Sequence, residues 1–546
     1  MPHPRGPRRL PKGGVMSTVT EQDVDLAAHV VDKSGVVNEL EKALRRGARG
    51  PRGRYNIRTF LIGALLTIRN SGDAHLASIH TTLTEHMPVD LQWTYDVRRK
   101  DAQGNVQVLS VSELQNIQKR IQKKLGFGNG VDCSDDERSI RRGVIQNVIW
   151  SLLDATLPPR TARSYALDAS GIWSWGRSSK GSSNGKGPFD LDAGHGGKTA
   201  KNGQTEWFYG YDLHALVRVR DAGKKSEDEP ILIERVAVTP ASTDIVEPSL
   251  SLLESLRTSE QDGCWSDDID KIDLLVDRHY SYKADQRWGQ SLRGLGVRQH
   301  LDLRKDETGF VDYDGMRMVG AVPHCPKTPA SLDNLRSPGP AAPSEEKEKF
   351  RELIEKRQLW ALERKEGPTV EGEERYKCPA LKGTVGCPLR PGTVEVAHRA
   401  GLDVIADPPT ESSRPACCTQ QTVTIKPHKQ TKHVQEHYWG SRKWAERYND
   451  RTYVEGVFGE LKNRNTECIK RGFIQTVGIE MAAFWYGLAA VSFNIRSRRR
   501  WSLDQLAAGA EIDTNDPFAK PEQPFHGLTH LTEEQLGEID RRQEAA

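Results

Sequence analysis

The segment Ile272–Val276, IDLLV, constrains the fold more than any other part of the chain. It is an apolar run interrupted only by Asp273, and such runs are typical of strands that are covered on both faces. A sheet with two covered faces needs helices on each side of it. Polar–apolar alternation and helical spacing predict the neighbouring elements. In chain order these are strands at 165–169, 207–219 and 231–239, a helix at 247–257, the strand 272–276, a helix at 284–293 and a strand at 297–303.

We therefore expect an α/β core in which three strands are followed by helix, strand, helix and strand. This is the order of a ribonuclease H-like mixed sheet, although many other α/β domains share parts of it. Between about 323 and 419 the pattern is interrupted by prolines, a charged helix at 345–364 and a cysteine-bearing stretch rich in Gly and Pro. Helical patterns resume at 441–465 and 477–497. The interruption is interpreted as an insertion into the core.

The charges are unevenly distributed over a chain whose net charge is only +3. Arginines and lysines are concentrated in the first 54 residues and at 496–500, and the end of the chain is mostly acidic. Basic clusters of this kind fit a polyanion bound at particular places, and they equally fit solvated surface charge. There are eight cysteines and no apolar secretory segment, which favours reduced thiols in a cytosol. The most apolar stretch, 479–495, contains Glu480 and predicts a buried helix and no membrane association.

The N-terminal part has helical spacing at 57–68 and 74–83, with a short Asn-Ser-Gly turn between. The two segments could form a helix-turn-helix that binds DNA or an ordinary helical hairpin. Farther on, Ile117, Ile121 and Leu125 form an apolar stripe beside four basic residues. That helix could lie along phosphates or expose its charges to water. A final helix is predicted at 138–153.

Two aspartates follow predicted strands of the core. Asp168 comes after Ala166 on one face of its strand, and Asp277 ends the apolar run. Open α/β sheets place ligand sites at such strand ends, and cutting a phosphodiester uses Mg²⁺ ions held by carboxylates. A plain strand-end or capping role is the simpler interpretation of either aspartate taken alone.

The stretch 448–462, YNDRTYVEGVFGELK, supplies a third carboxylate, Glu455. On one continuous helix, Tyr448, Arg451, Glu455 and Lys462 fall within an arc of about 60°, beside an apolar stripe. Glu455 could then reach metal ions, while the two basic side chains hold phosphates. The alternative is a solvated face with helical ion pairs.

The spacing Tyr-x2-Arg-x3-Glu-x6-Lys resembles the signature of a group of bacterial insertion-sequence DDE transposases. The segments around Asp168 and from Asp277 to Tyr280 resemble that family's two aspartate strands, and WFYGYDLH at 207–214 resembles the strand between them. The resemblance covers about 160–305 and 420–497, and family members carry an insertion that matches 306–420. His279 departs from the family, which often has glycine there.

The resemblance implies that Asp168, Asp277 and Glu455 hold two Mg²⁺ ions, with Mn²⁺ able to substitute. It also implies that Tyr448, Arg451 and Lys462 position DNA. Water would cut at the element end, and the freed 3′-hydroxyl would attack a second phosphate without a covalent protein–DNA intermediate. A homodimer on paired ends, located in the cytoplasm at the nucleoid, is expected. The rivals are a ribonuclease H-like nuclease such as a junction resolvase, and a catalytically silent DNA-binding descendant.

The expected domain organisation combines these observations, since 546 residues suggest two to four domains. The predicted segments are a disordered basic tail at 1–20, a helical DNA-binding domain at 21–160, a first core part at 161–322, an insertion at 323–419, a second core part with the candidate helix at 420–500 and a C-terminal tail at 501–546.

A second candidate site is formed by the cysteines of the insertion, which could bind a structural Zn²⁺ or remain unliganded. The candidate ligands are Cys378, Cys387, Cys417 and Cys418, with His324 and Cys325 earlier in the chain. Three other residues are given structural roles: His214 is expected to be hydrogen-bonded within the sheet, and Trp173 and Trp175 are expected to pack.

Overall fold

A computed structural model describes residues 19–44, 56–125, 134–159, 163–178, 189–199, 204–225, 228–258, 272–339, 341–510, 513 and 515–520. Most of the predicted basic tail at 1–20, all of the arginines between 45 and 54, and the C-terminal tail beyond 520 lie outside these residues. Residues 179–188 and 200–203 of the glycine-rich stretch also lie outside them.

Helices make up most of the described chain before residue 160. The elements are α1 (Glu21–Lys33), α2 (Val36–Leu44), α3 (Ile57–Ser71), α4 (Leu76–Thr81), α5 (Val89–Thr94), β1 (Arg98–Lys100), β2 (Val106–Val108), α6 (Val111–Lys124) and α7 (Asp135–Thr156). Local sequence starts several of them, because Thr20 and Ser110 form capping boxes with Asp23 and Glu113. On α6 the predicted apolar stripe is buried and its lysines are exposed.

The first helix of the predicted helix-turn-helix, α3, is buried on every side from Thr59 to Ile68. A helix that is apolar all round belongs in a core, and α3 packs against α1 and α16, introduced below. Its hydrophobic spacing is therefore explained by packing alone. The domain boundaries at 21 and 160 stay predictions.

A six-stranded mixed sheet follows, with helices in its connections. Its elements are β3 (Ser164–Trp173), β4 (Gly194–Thr199), β5 (Thr205–Val219), β6 (Leu232–Pro240), α8 (Val246–Thr258), β7 (Ile272–Val276), α9 (Gly289–Gly294) and β8 (Val297–His300). Strand β5 pairs antiparallel with β3 on one side and with β4 and β6 on the other. Strands β3, β7 and β8 are parallel neighbours, with Leu167 opposite Val276. The predicted α/β mixed sheet is thus present.

Strand β4 was not predicted, because its sequence, GHGGKT, has the composition of a loop. Glycines are needed there for space: a Cβ on Gly196 would lie 2.4 Å from the ring of Phe208, and a Cβ on Gly171 of β3 would lie equally close to that ring. The requirement comes from a neighbouring strand, so local composition does not reveal it.

Both faces of the sheet are covered, as the run Ile272–Val276 predicts. One face, carrying Ala166, Ala215 and Leu275, belongs to a hydrophobic cluster that also includes residues of α1–α3 and of the C-terminal helices. The other face, carrying Tyr165 and Leu167, packs with α8 and α9. Alternation along β3 therefore places Ala166 and Asp168 on the first face and Leu167 on the second.

Between β8 and the C-terminal helices lie two small antiparallel sheets and short helices. The elements are β9 (Val311–Tyr313), β10 (Met316–Val319), β11 (Val322–His324), α10 (Ser344–Leu359), β12 (Glu363–Glu366), β13 (Glu374–Lys377), α11 (Pro379–Lys382), α12 (Thr393–Ala400), α13 (Ala416–Thr419) and β14 (Thr422–Ile425). The predicted boundaries of the insertion, 323 and 419, fall inside these two sheets.

Three helices complete the described chain: α14 (Arg442–Tyr448), α15 (Thr452–Leu461) and α16 (Ile479–Ala507). Helix α15 packs its buried Val454, Val457 and Phe458 against the sheet at β3 and β5. Helix α16 contacts α3, α7 and β6, so it lies between the N-terminal helices and the sheet. No helix among the described residues is both long enough and apolar enough to cross a bilayer.

Candidate active site

Asp168 and Asp277 lie on the sheet face that α15 covers. Asp168 follows Ala166 by two residues on β3, and Asp277 follows Leu275 by two residues at the end of β7. The parallel register pairs Leu167 with Val276, so the two aspartates are the next neighbours across strands about 4.8 Å apart. The sheet topology therefore brings together two carboxylates that are far apart in the sequence.

The surroundings of Asp168 oppose its ionisation. Burial and the nearby Asp277 raise the pKa of Asp168 from 3.8 to about 6, and Glu455 acts in the same direction. The backbone N–H of Ala169 donates to Asp168 Oδ1 at 2.7 Å, and this bond and Arg451 oppose the rise. A carboxyl group whose pKa is raised by neighbouring negative charge gains from a bound cation. Asp277 also caps a short 3₁₀ helix by accepting the N–H of His279.

Glu455 lies on α15, and its side chain is 54% exposed. Its Oε1 accepts a hydrogen bond from Arg451 Nη2 at 2.7 Å, which is the helical ion pair named above as the alternative. Glu455 is nevertheless close enough to Asp168 to affect its pKa.

The geometry of the helix that carries these residues differs from the prediction. The helix predicted over 441–465 extends from Arg442 to Leu461, but a 3₁₀ turn at Asn449–Arg451 interrupts its α-helical geometry between α14 and α15. Tyr448 ends α14, Arg451 lies in the turn, and Lys462 caps the end of α15. The arc calculated for a continuous α-helix therefore does not apply. Arg451, Glu455 and Lys462 lie within electrostatic reach of Asp168, and Tyr448 lies within reach of Asp277.

Tyr448 and Lys462 are held by different neighbours. The ring of Tyr448 stacks on Trp444 with centroids 4.6 Å apart, and the guanidinium of Arg451 lies 5.7 Å from the ring centroid. Burial raises the pKa of the Tyr448 hydroxyl. Lys462 Nζ donates to Ser170 Oγ at 2.6 Å and to Gly171 O at 3.0 Å. Burial and the neighbouring Lys198 lower the Lys462 pKa to about 8.

Two further charged residues lie at this site and were not singled out from the sequence. Lys198 of β4 is a second cation beside Lys462, and no signal pointed to it because β4 itself was not predicted. Asp212 of β5 accepts the N–H of Ser242 at 2.9 Å and offsets the charge of Lys462. Asp212 is a carboxylate in a largely apolar strand, and the cost of burying such a group could have marked it.

His214 is buried and its Nε2 lies 2.9 Å from Thr239 Oγ1, as a hydrogen-bonded sheet histidine should. Burial lowers its pKa to about 4, so it is neutral at pH 7. Trp173 packs as expected, with its ring in contact with Phe208 and Arg471, although 40% of the residue is exposed. Trp175 is 41% exposed.

The donor set at this site is oxygen-rich, which suits a hard divalent cation. Among the described residues, however, no group of three or more His, Cys, Asp or Glu side chains is arranged to hold a metal ion. The ion pair between Arg451 and Glu455 accounts for this, since it directs the third carboxylate toward the guanidinium. A three-carboxylate site therefore requires a side-chain rearrangement of Glu455.

Comparison of the chain with profiles of known families, with curated proteins and with solved structures found no match. The functional argument consequently depends on the geometry of Asp168, Asp277, Glu455 and the basic side chains around them.

Proposed function

We propose that this protein is a DDE transposase of an insertion sequence, which cuts DNA at the ends of its element and joins them to target DNA. The observation that carries the proposal is the adjacent placement of Asp168 and Asp277 on the sheet face covered by α15. Glu455 lies on that helix, within electrostatic reach of Asp168. The strand order β6-β5-β3-β7-β8 supports the finer assignment of a ribonuclease H-like core.

Asp168, Asp277 and Glu455 would hold Mg²⁺ or Mn²⁺, because carboxylate oxygens are the ligands these ions prefer. Two such ions would supply activation of the attacking oxygen and stabilisation of the leaving oxygen. Ionisation of Asp168 is a requirement for this role. Because its pKa is raised, Asp168 is protonated at low pH in the metal-free protein, and a bound cation would favour its ionised form.

The basic residues around the aspartates would bind the DNA backbone. Lys462 and Lys198 repel one another in the free protein, and a phosphate between them would relieve that repulsion. Arg451 would exchange Glu455 for a phosphate, which frees the carboxylate at the moment the substrate arrives. Tyr448 would pack its ring against the DNA end. Binding of DNA and assembly of the third carboxylate are thus coupled through one arginine.

The proposal extends to a homodimer acting on two paired ends in the cytoplasm, at the nucleoid. Joining two DNA ends requires two sites that act together.

The test starts from the inverted repeats expected in the DNA that flanks the gene. A labelled duplex carrying such a repeat is incubated with purified protein, Mg²⁺ and a target plasmid. We expect nicking at the repeat end followed by joined product, with at least 100-fold loss in Asp168→Asn, Asp277→Asn and Glu455→Gln. Glu446→Gln, an exposed residue of α14, is the matched control and should retain activity.

Other outcomes distinguish the rivals. Cleavage without joining would identify a nuclease such as a junction resolvase. Repeat-specific binding without cleavage by the wild type would identify a silent descendant. Equal cleavage by wild type and Asp168→Ala would remove Asp168 from the mechanism and overturn the proposal.

A further inference from the structure

Five cysteines from three separate segments line one cavity inside the insertion. Its volume is about 10 Å³, and the cysteines that line it are Cys325, Cys378, Cys387, Cys417 and Cys418. All of them are free thiols, and the sixth described cysteine, Cys468, lies elsewhere. Five thiols brought together by the fold, with no disulfide among the described cysteines, indicate a common ligand.

Three of these thiols lie in the same local structure. Cys325, Cys378 and Cys387 each precede a proline, and each sulfur accepts a backbone N–H from the residue two positions on. The donors are Lys327, Ala380 and Leu389. Proline has no N–H, so the next residue is the first available donor. Burial raises the pKa of all three thiols, and these N–H groups oppose that rise by favouring the thiolate, which is the form that binds a metal ion.

The fourth ligand is one of two adjacent residues, Cys417 and Cys418. Cys418 is the thiol whose charge acts on Cys325, Cys378 and Cys387 alike. The S–H of Cys417 donates to the sulfur of Cys418. Cys417 is a buried member of the apolar cluster of Met316, Met318 and Tyr376, whereas Cys418 is only partly buried and packs against that cluster. The less buried Cys418 is therefore the better-placed ligand.

Charge and size restrict the occupant. Four thiolates around a divalent cation carry a net charge of −2, and the positive charge of Arg390, which lines the cavity, would offset part of it. A cavity of about 10 Å³ has room for roughly one water-sized body. That is enough for a single ion and too little for an iron–sulfur cluster.

We propose that Cys325, Cys378, Cys387 and Cys418 bind one structural Zn²⁺, which joins β11, α11 and α13 within the insertion. Compared with the set expected from the sequence, Cys325 replaces Cys417. No group of ligands among the described residues is preassembled, so the side chains would close around the ion as the thiols lose their protons. The site is independent of the proposed transposase activity.

The test is the metal content of the full-length protein, purified under reducing conditions and measured by mass spectrometry. We expect one zinc per chain, and loss of most of it in Cys325→Ser and Cys418→Ser. Cys417→Ser and Cys468→Ser are the matched controls and should keep one zinc. Cobalt added in place of zinc should give the d–d bands of a tetrahedral site and thiolate charge-transfer absorption.

Serine variants that fail to fold are replaced by Cys325→His and Cys418→His, which keep a ligand atom. Each should bind cobalt with a charge-transfer band lowered by about a quarter, because three of four thiolates remain. Wild-type protein that takes up neither zinc nor cobalt would overturn the proposal, as would full zinc content in Cys325→Ser. A brown protein with iron–sulfur absorption would indicate a cluster in place of zinc and would also overturn the proposal.

Discussion

At the scale of a single residue, metal binding and burial have opposite effects on the ionisation of Asp168. Its carboxylate must be ionised to hold a metal ion, yet burial and the neighbouring carboxylates raise its pKa to about 6. In the metal-free protein the folded state therefore keeps a proton on Asp168 at pH values where the unfolded chain has released it. By linkage, the free energy of unfolding falls as pH rises from about 4 to about 6.

Asp168→Asn should stabilise the metal-free protein at pH 8, because asparagine has no charge to bury. The pKa rise from 3.8 to about 6 sets a ceiling of roughly 3 kcal/mol on this gain. At pH 5, where wild-type Asp168 is already protonated, the difference between the two proteins should shrink. Urea unfolding at both pH values measures it, with Glu446→Gln as control. A gain of the same size at pH 5 and pH 8 would contradict the assignment of the shift to Asp168.

At the scale of the element, the break between α14 and α15 is held by a buried carboxylate. Asp450 lies in the 3₁₀ turn, and its oxygens accept hydrogen bonds from Arg220 at 3.0–3.2 Å and from Arg447 at 3.2 Å. Arg447 is itself buried and also lies 3.8 Å from Asp273 of β7. This network fixes the turn that contains Arg451 and leads into α15, the helix that carries Glu455.

Asp450→Ala should lower the free energy of unfolding by about 3–5 kcal/mol, because it leaves the buried guanidinium of Arg447 without one of its partners. Chemical denaturation measures the change. The matched control is Asp407→Ala, which removes an ion pair with Lys327 whose aspartate is 90% exposed and should cost less than about 1 kcal/mol. Similar losses in the two variants would mean that the network around Asp450 contributes little.

At the scale of the whole molecule, α16 joins parts of the chain that the sequence separates. It packs against α3 and α7 on one side and β6 on the other, and all of these contribute to one continuous hydrophobic cluster. The closest approach is at Gly487, where an added Cβ would lie 2.6 Å from side-chain atoms of Ile149 on α7. The N-terminal helices and the sheet should consequently unfold together.

Gly487→Ala should destabilise the protein by about 1–3 kcal/mol through overpacking against Ile149. The double variant with Ile149→Ala should lose at least about 1 kcal/mol less free energy of unfolding than the sum of the two single variants. The reason is that the Cβ added at position 487 then occupies space vacated by the Ile149 side chain. Gly143→Ala on α7, where a Cβ meets nothing within 4 Å, should instead stabilise by up to about 1 kcal/mol. Calorimetry should detect one transition; additive effects or two separate transitions would contradict a shared core.

The sequence by itself determined every strand of the sheet except β4, the covered faces of the sheet and the two aspartates at strand ends. The run Ile272–Val276 and the alternation around Asp168 are local patterns. Burial of their apolar side chains favours a strand there whatever the rest of the fold is. The core therefore has the predicted mixture of strands and helices, and Ala166 and Leu167 lie on opposite faces as their alternation requires.

Tertiary structure alone decided how distant residues meet. The pairing of β4 depends on the ring of Phe208, the broken helix depends on arginines that hold Asp450, and the thiol cavity depends on three segments folding together. Each involves contacts between residues far apart in the chain, and no local periodicity encodes their geometry. The position of Glu455 relative to the aspartates was likewise decided by tertiary structure, because an ion pair and a turn set the direction of its side chain.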